Sequence, residues 1–149
     1  MKASLETQQQ VVAALDDWAA AYGRKDADAY AAAFSDDDDV LLFGTGTDEV
    51  VVGRGKIAEL LRRDFEQADQ LQVRLGEVRV SAAGDVAWAA TPDAVVEATV
   101  AGEDQSLPLR ITAVLQRMNG KWVIQHAHVS APLAGQEPGQ SFPTGDQAS

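Results

Sequence analysis

Apolar positions repeat at two periods along this chain, and the switch between them organises it. Near the N-terminus Leu15, Trp18, Ala19 and Tyr22 follow the i, i+3, i+4, i+7 spacing of one helical stripe, with Val11 and Val12 a turn earlier. A helix is predicted over residues 4–23, with Ser4 as its cap and Gly23 as its stop. A short second helix follows over 26–34, capped by Asp26, with Tyr30, Ala33 and Phe34 on its apolar side. Trp18, Tyr22, Tyr30 and Phe34 are expected to converge where the two helices meet. Two strand-like runs, 40–43 and 49–53, flank the turn chemistry of Gly44-Thr45-Gly46-Thr47-Asp48 and predict a hairpin. A third helix, over 56–68, buries Ile57, Leu60, Leu61, Phe65 and Ala68, with Asp64 at the margin of that face as a boundary residue paired with an arginine.

From Leu71 onward the period is two. Val73, Leu75, Val78 and Val80 predict one strand with an irregularity at Gly76. A long strand over 86–100 is interrupted near Pro92, where the ladder loses a donor. Strands over 107–118 and 122–130 then form an antiparallel pair about the Asn119-Gly120 turn. Helices followed by a strand meander argue an α+β fold, and a strongly curved, mostly antiparallel sheet can wrap around the three N-terminal helices as a conical barrel open at one end. Such a cone closes over a hydrophobic cavity. The organisation is one domain over residues 1–132 and a flexible polar tail over 133–149, rich in Gly, Pro, Gln and Ser.

The last strand carries the most specific signal. Trp122, Ile124, His126, His128 and Ser130 alternate with Val123, Gln125, Ala127 and Val129. Strict alternation puts the first set on one face, running from a large aromatic to two imidazoles and a hydroxyl. That face is expected to line the cavity, and the smaller mixed face to make a sheet-to-sheet contact.

Composition narrows the classes. The 149 residues include no cysteine, which excludes disulfides, thiolate nucleophiles and cysteine-bound zinc. A formal charge of −11 argues against nucleic acid and against an anionic membrane surface. No apolar run reaches the roughly 20 residues of a membrane span, and the first residues carry no apolar signal region, so a cytoplasmic location is expected. Asp36 to Asp39 are contiguous, whereas metal loops space their ligands, so the run is taken as a solvated turn. The glycines around Thr45 lack the Gly-Lys-Ser/Thr ending of a phosphate loop.

The candidate chemistry is sparse. His126 and His128 are the chain's two histidines. On one strand face they would lie roughly 6–7 Å apart; either suits a general base, and the plainer role is a structural histidine that hydrogen-bonds backbone or interface groups. The sequence marks no third ligand for a metal, and no cofactor is expected. Glu49, at the start of a strand, would be desolvated if it pointed inward and would then suit proton abstraction beside a carbonyl. The plainer role is a salt bridge to Arg54 or Arg110. Arg110, in a mostly apolar strand, suits either bidentate binding of a ligand carboxylate or an ion pair with Glu49 or Asp64. Trp18, Tyr22, Tyr30, Phe34, Phe43 and Trp88 are candidate ligand-binding aromatics as well as candidate core. No nucleophile elbow is present.

Several segments together resemble the nuclear transport factor 2-like superfamily, and its SnoaL-like branch in particular. They are Trp18 and Tyr22 before the 26–34 helix, the Phe43-to-Glu49 stretch with Gly53-Arg54, Gly84-Asp85-Val86-Ala87-Trp88, Arg110-Ile111-Thr112, and the final strand. Trp122, Ile124, His126, His128, Ser130 and Pro132 are also similar to the end of the association domain of calcium/calmodulin-dependent protein kinase II. The resemblance implies the cone and usually a homodimer packed through the outer face of the sheet. It implies isomerases, dehydratases, cyclases, binding proteins or oligomerisation modules, and fold alone does not choose among them. Ketosteroid isomerase-like relatives pair their base with a tyrosine and a protonated acid, and that trio is not placed here. The dehydratase set of Tyr, His, His and Asp is matched in part by Tyr22, Tyr30, His126 and His128. The cavity arginine of the kinase domains aligns near Ala113, not at Arg110. The expectation is a small homodimeric domain that binds a small, partly apolar molecule in its cone, an anionic one where Arg110 meets a ligand carboxylate. The alternatives are an acid-base enzyme using Glu49 or a histidine, or a hub-like assembly module.

Overall fold

The Ser4 hydroxyl oxygen accepts from the Thr7 amide at 3.1 Å and starts the first helix. This helix, α1 (Leu5–Gly23), buries Val11, Leu15, Trp18 and Ala19 along the predicted stripe. The structure, a computed structural model, describes residues 1–145. α2 (Ala27–Ala32) is capped by the Asp26 carboxylate, which accepts from Ala29 N at 3.0 Å. It ends earlier than its apolar pattern suggests because the chain leaves it to pair with the last strand. Ile124 N donates to Ala33 O and Ser35 N donates to Ile124 O, both at 2.9 Å, which seals Phe34 in the core.

β1 (Leu41–Phe43) and β2 (Val50–Val52) form the expected hairpin. α3 (Arg54–Glu66) follows Gly53, whose φ of +90° is a conformation that favours glycine. The strand expected across Gly76 is instead two, β3 (Gln70–Arg74) and β4 (Arg79–Ala83), both paired antiparallel with β5 (Val86–Val100). Gly76 has φ +69°, and a Cβ there would lie 2.8 Å from Asp93 Cγ. Asp93 itself accepts from Glu77 N at 3.2 Å, so a side chain of β5 fills the gap between the two strands. Pro92 does not end β5. The ladder with β6 (Glu103–Met118) shifts register between Thr91 and Ala94, and the strand continues past that bulge.

The strand order is β2-β1-β7-β6-β5-β3, with β7 spanning Lys121–Ser130. β1 runs parallel to β7, and every other pair is antiparallel. The sheet is curved and unclosed, and α1 packs inside it against β3, β4 and β7. The architecture is therefore the expected α+β cone.

A second bulge overturns one expectation. Leu115 pairs with Ile124 and its neighbour Val114 pairs with His126, so Gln125 is an extra residue in β7. One extra residue exchanges the two faces of everything after it. Trp122, Ile124 and Ala127 are buried on the inner face, and Val129 is partly buried there; Ala127 and Val129 pair with Ala113 and Ile111. His126 and His128 turn outward. Gln125 is anchored by its amide, which donates to Asp37 Oδ2 at 2.7 Å and to Gln116 Oε1 at 3.0 Å. The Gln125 and Ser35 hydrogen bonds hold the Asp37 carboxyl below its ordinary range. Asp36 to Asp39 are all exposed, as a solvated turn requires.

Candidate functional site

Between α1, α3 and the concave face of the sheet lies a cavity of about 250 Å³. Its walls are aliphatic side chains from three directions: Leu60 and Leu61 of α3, Val73 of β3, Leu107 and Ile111 of β6, and Val129 of β7. Trp18 and Tyr22 of α1 and Tyr30 of α2 supply the aromatic part. The Trp18 and Tyr30 ring centroids are 5.1 Å apart, and Tyr22 meets Tyr30 at 6.1 Å and Phe65 edge-on at 5.3 Å. These are spacings at which aromatic pairs attract.

The polar groups facing the cavity are few. Glu49 reaches it from the end of the β1–β2 turn, and its side chain keeps 18% of its surface exposed. Gly46 N donates to Glu49 Oε2 at 3.1 Å. A Cβ on Gly44 would sit 2.9 Å from both Cβ and Cδ of Glu49 and closer still to Oε2. The two glycines thus make the notch in which the carboxylate lies. Asp64 also lines the cavity, from α3.

Arg63 lies outside this pair and spans it. It contacts Asp48 at 2.6 Å, Asp64 at 3.0 Å and Glu49 at 3.5 Å. The Arg63 hydrogen bond lowers the Asp48 carboxyl, and the carboxylates raise the guanidinium in return. Burial, then the charges of Asp64 and Glu49, push the Tyr22 phenol up to about 12. Burial, more than its neighbours Tyr22, Asp64 and Glu49, pushes Tyr30 well above the ordinary phenol range, against a smaller opposing effect of the Trp18 indole. The Trp18 indole N–H is buried, and no atom meets it at hydrogen-bonding geometry. Both phenols are therefore neutral hydrogen-bond donors at pH 7.

The structure brings together Trp18, Tyr22, Tyr30 and Glu49 from the sequence candidates, and separates the rest. Phe34 packs behind Trp18 with centroids 6.0 Å apart and does not reach the cavity. Phe43, His126 and His128 stack on the outer face, with the phenyl ring 5.8 Å and 5.1 Å from the two imidazoles. The expectation that the histidines face the cone is thus corrected, and the cause is the Gln125 bulge. Trp88 stands on the same outer face, 40% exposed, opposite Val114.

Arg110 is exposed on that side too, donating to Ala131 O at 3.4 Å, and it pairs with neither Glu49 nor Asp64. Arg54 is not the partner of Glu49 either, since it donates to the Ala31 and Ala32 carbonyls at 3.2 and 3.0 Å. Arg63 and Thr45 were not singled out from the sequence. A signal for the bulge was present: the apolar set moves from even positions, Trp122 and Ile124, to odd ones, Ala127, Val129 and Ala131. Among the described residues no three His, Asp or Glu side chains converge as a metal ion would need. Among them, too, no helix is long and apolar enough to cross a membrane.

Solved structures share this architecture over nearly the whole chain. A nuclear transport factor 2-like superfamily protein from Salmonella enterica superposes with a TM-score of 0.80 at 18% identity, covering 94% of this chain and all (100%) of that one. A protein from Xanthomonas campestris, provisionally assigned as a calcium/calmodulin-dependent protein kinase II association domain, gives 0.75 at 24% identity over 89% of this chain and 95% of that one. A protein of the same superfamily from Streptomyces avermitilis, provisionally assigned as a dehydratase, gives 0.75 at 22% identity over 88% and 100%. At these identities the likeness concerns the fold. No curated protein matches the sequence. The profile of the SnoaL-like domain matches residues 11–134. With the cone, its strand order and that match together, the chain belongs to the SnoaL-like domain family.

Proposed function

We propose that the domain binds a small, mainly apolar molecule inside the cone. The observation that carries this reading is the cavity itself, with aliphatic walls and its hydrogen-bonding groups gathered in one sector around Tyr22, Tyr30, Glu49 and Asp64. Apolar pockets with a few convergent polar groups are the usual form of a ligand site. About 250 Å³ suits a ligand smaller than a typical drug. Native mass spectrometry of freshly purified protein tests it. A bound mass lost on denaturation supports the reading, as does a melting temperature that rises with the logarithm of added ligand. A cavity that stays unliganded against a library of small apolar compounds ends it.

A second reading, acid-base catalysis in the same cavity, is favoured by one pairing. Glu49 is mostly buried beside the cavity that Tyr22 also lines, and Tyr22 keeps its proton to about pH 12. The Glu49 carboxylate would take a proton from the carbon next to a carbonyl. The Tyr22 hydroxyl would donate to the developing enolate oxygen, and Glu49 would return the proton to the conjugated position. Cyclohex-3-enone, which gains ultraviolet absorbance on conjugation, is a direct probe. Turnover lost in Glu49→Gln with binding retained supports catalysis, and an inactive wild type removes it.

The partner we propose is a second copy of the chain, held through the outer sheet face. One register row there runs Trp88, Val114, His126, Leu41, Val52, and Trp88, Val114 and Val52 expose 40%, 37% and 53% of their surface. Exposed apolar area of this kind favours association. The bulge gives this face His126 and His128 in place of Ala127 and Val129.

A further inference from the structure

The charge lining the cone has one sign. Among the described residues, Glu49 and Asp64 are the charged side chains that line the cavity, and no lysine, arginine or histidine does. Arg110, His126 and His128, the sequence candidates able to carry positive charge, stand on the outer face. Arg63 is 45% exposed and is shared among Asp48, Glu49 and Asp64, so one guanidinium meets three carboxylates. Its contacts with Asp64 both fall on Oδ1, and its contact with Glu49 is the longest of the set at 3.5 Å. A carboxylate has about four acceptor sites, so both retain unused capacity. Beside them stand the rings of Tyr22, Tyr30 and Trp18, whose faces attract cations.

We propose that the ligand is an organic ammonium ion: an apolar body seated among the aliphatic walls, with one protonated amine held by Glu49 and Asp64 and flanked by the tyrosine rings. This rests on the reading of the cone as a binding pocket. A neutral ligand would take water from two carboxylates and return no counter-charge, which is costly. A carboxylate ligand would add a third like charge in a poorly hydrated site. The ammonium supplies both the missing charge and the donors. Burial is the main reason the Tyr22 phenol is raised, and the charges of Asp64 and Glu49 add to it.

The test is calorimetric titration of the full chain at pH 7 with three probes of one shape: 3-phenylpropylamine, 3-phenyl-1-propanol and 3-phenylpropanoate. The amine should bind at least about tenfold more tightly than the alcohol, and the carboxylate least. Glu49→Gln and Asp64→Asn should each weaken the amine by about tenfold more than they weaken the alcohol. Two substitutions guard against one of them perturbing the fold, and alcohol binding reports that the cavity survives in each. An alcohol that matches or exceeds the amine overturns the ammonium assignment and leaves the pocket standing. So does an amine whose affinity neither substitution changes. Failure of all three probes to bind overturns the pocket and the ammonium together.

Discussion

Gly44→Ala should destabilise this protein through one neighbour, Glu49, and the structure says by how much. The new methyl would lie 2.9 Å from Glu49 Cβ and from Cδ, and nearer still to Oε2. Moving the carboxylate alone does not relieve this, because Glu49 Cβ is fixed by a backbone that is itself tied: Gly44 N donates to Glu49 O at 2.8 Å. Either the turn shifts or Glu49 leaves its notch and loses the Gly46 N–H. Overpacking costs about 1–3 kcal/mol. A hydrogen bond to a charged group contributes about 1.5–3 kcal/mol and less where, as here, the group keeps some contact with water. About 2 kcal/mol is the expected net loss. For a chain of this length that lowers the melting temperature by roughly 4–8 °C. The assay is urea unfolding of four proteins: wild type, Gly44→Ala, Glu49→Ala and the double variant. The Glu49→Ala background removes Cδ and Oε2 but keeps the Cβ contact at 2.9 Å, so Gly44→Ala should cost about 1 kcal/mol there, a coupling of about 1 kcal/mol. An equal cost in both backgrounds would refute the notch. Gly55→Ala is the control. It sits in α3 with no atom within 4 Å of the added methyl, and should stabilise by about 0.5–1 kcal/mol.

Three further outcomes follow from the same geometry. Tyr22 titrates near 10.0 when unfolded and about 12 when folded, so its share of stability is full below pH 10 and is lost as pH rises towards 12. The loss is on the order of 2–3 kcal/mol; unfolding free energies across that range should fall less steeply in Tyr22→Phe, and parallel curves would contradict the assignment. Deleting Gln125 should be tolerated at a cost of about 2 kcal/mol, because Ile124 and His126 already oppose consecutive residues of β6. Deleting Ala127 instead should abolish folding, since it turns His128 inward and Val129 outward; circular dichroism and melting distinguish the two. Trp88→Glu should convert a dimer to a monomer in light scattering without changing probe binding to the cone, and an unchanged mass would exclude the Trp88 row from the interface.

Local pattern was enough for most of the architecture. The stripe Leu15, Trp18, Ala19, Tyr22 could bury itself only as a helix, and period-two alternation after Leu71 could face a core only as strands. The caps at Ser4 and Asp26 and the turn at Asn119-Gly120 carry their own chemistry and stand where expected. The convergence of Trp18, Tyr22, Tyr30 and Phe34 followed from two helices too short to bury such rings alone.

The direction in which a strand residue points is a different kind of property. It depends on every residue of the ladder before it, so the single extra residue Gln125 sent His126 and His128 out and Ala127 and Val129 in. Gln125 carries no turn signal of its own. What holds the bulge is tertiary, an amide reaching Asp37 and Gln116. Ion pairing was likewise decided in three dimensions. The sequence offered Arg54 and Arg110 as partners for Glu49, and the packing of α3 against the β1–β2 hairpin chose Arg63 instead. Periodicity and turn chemistry thus determined which helices and strands would form, and the family resemblance implied the cone and its cavity. Accumulated register and the docking of α3 decided which charges face that cavity.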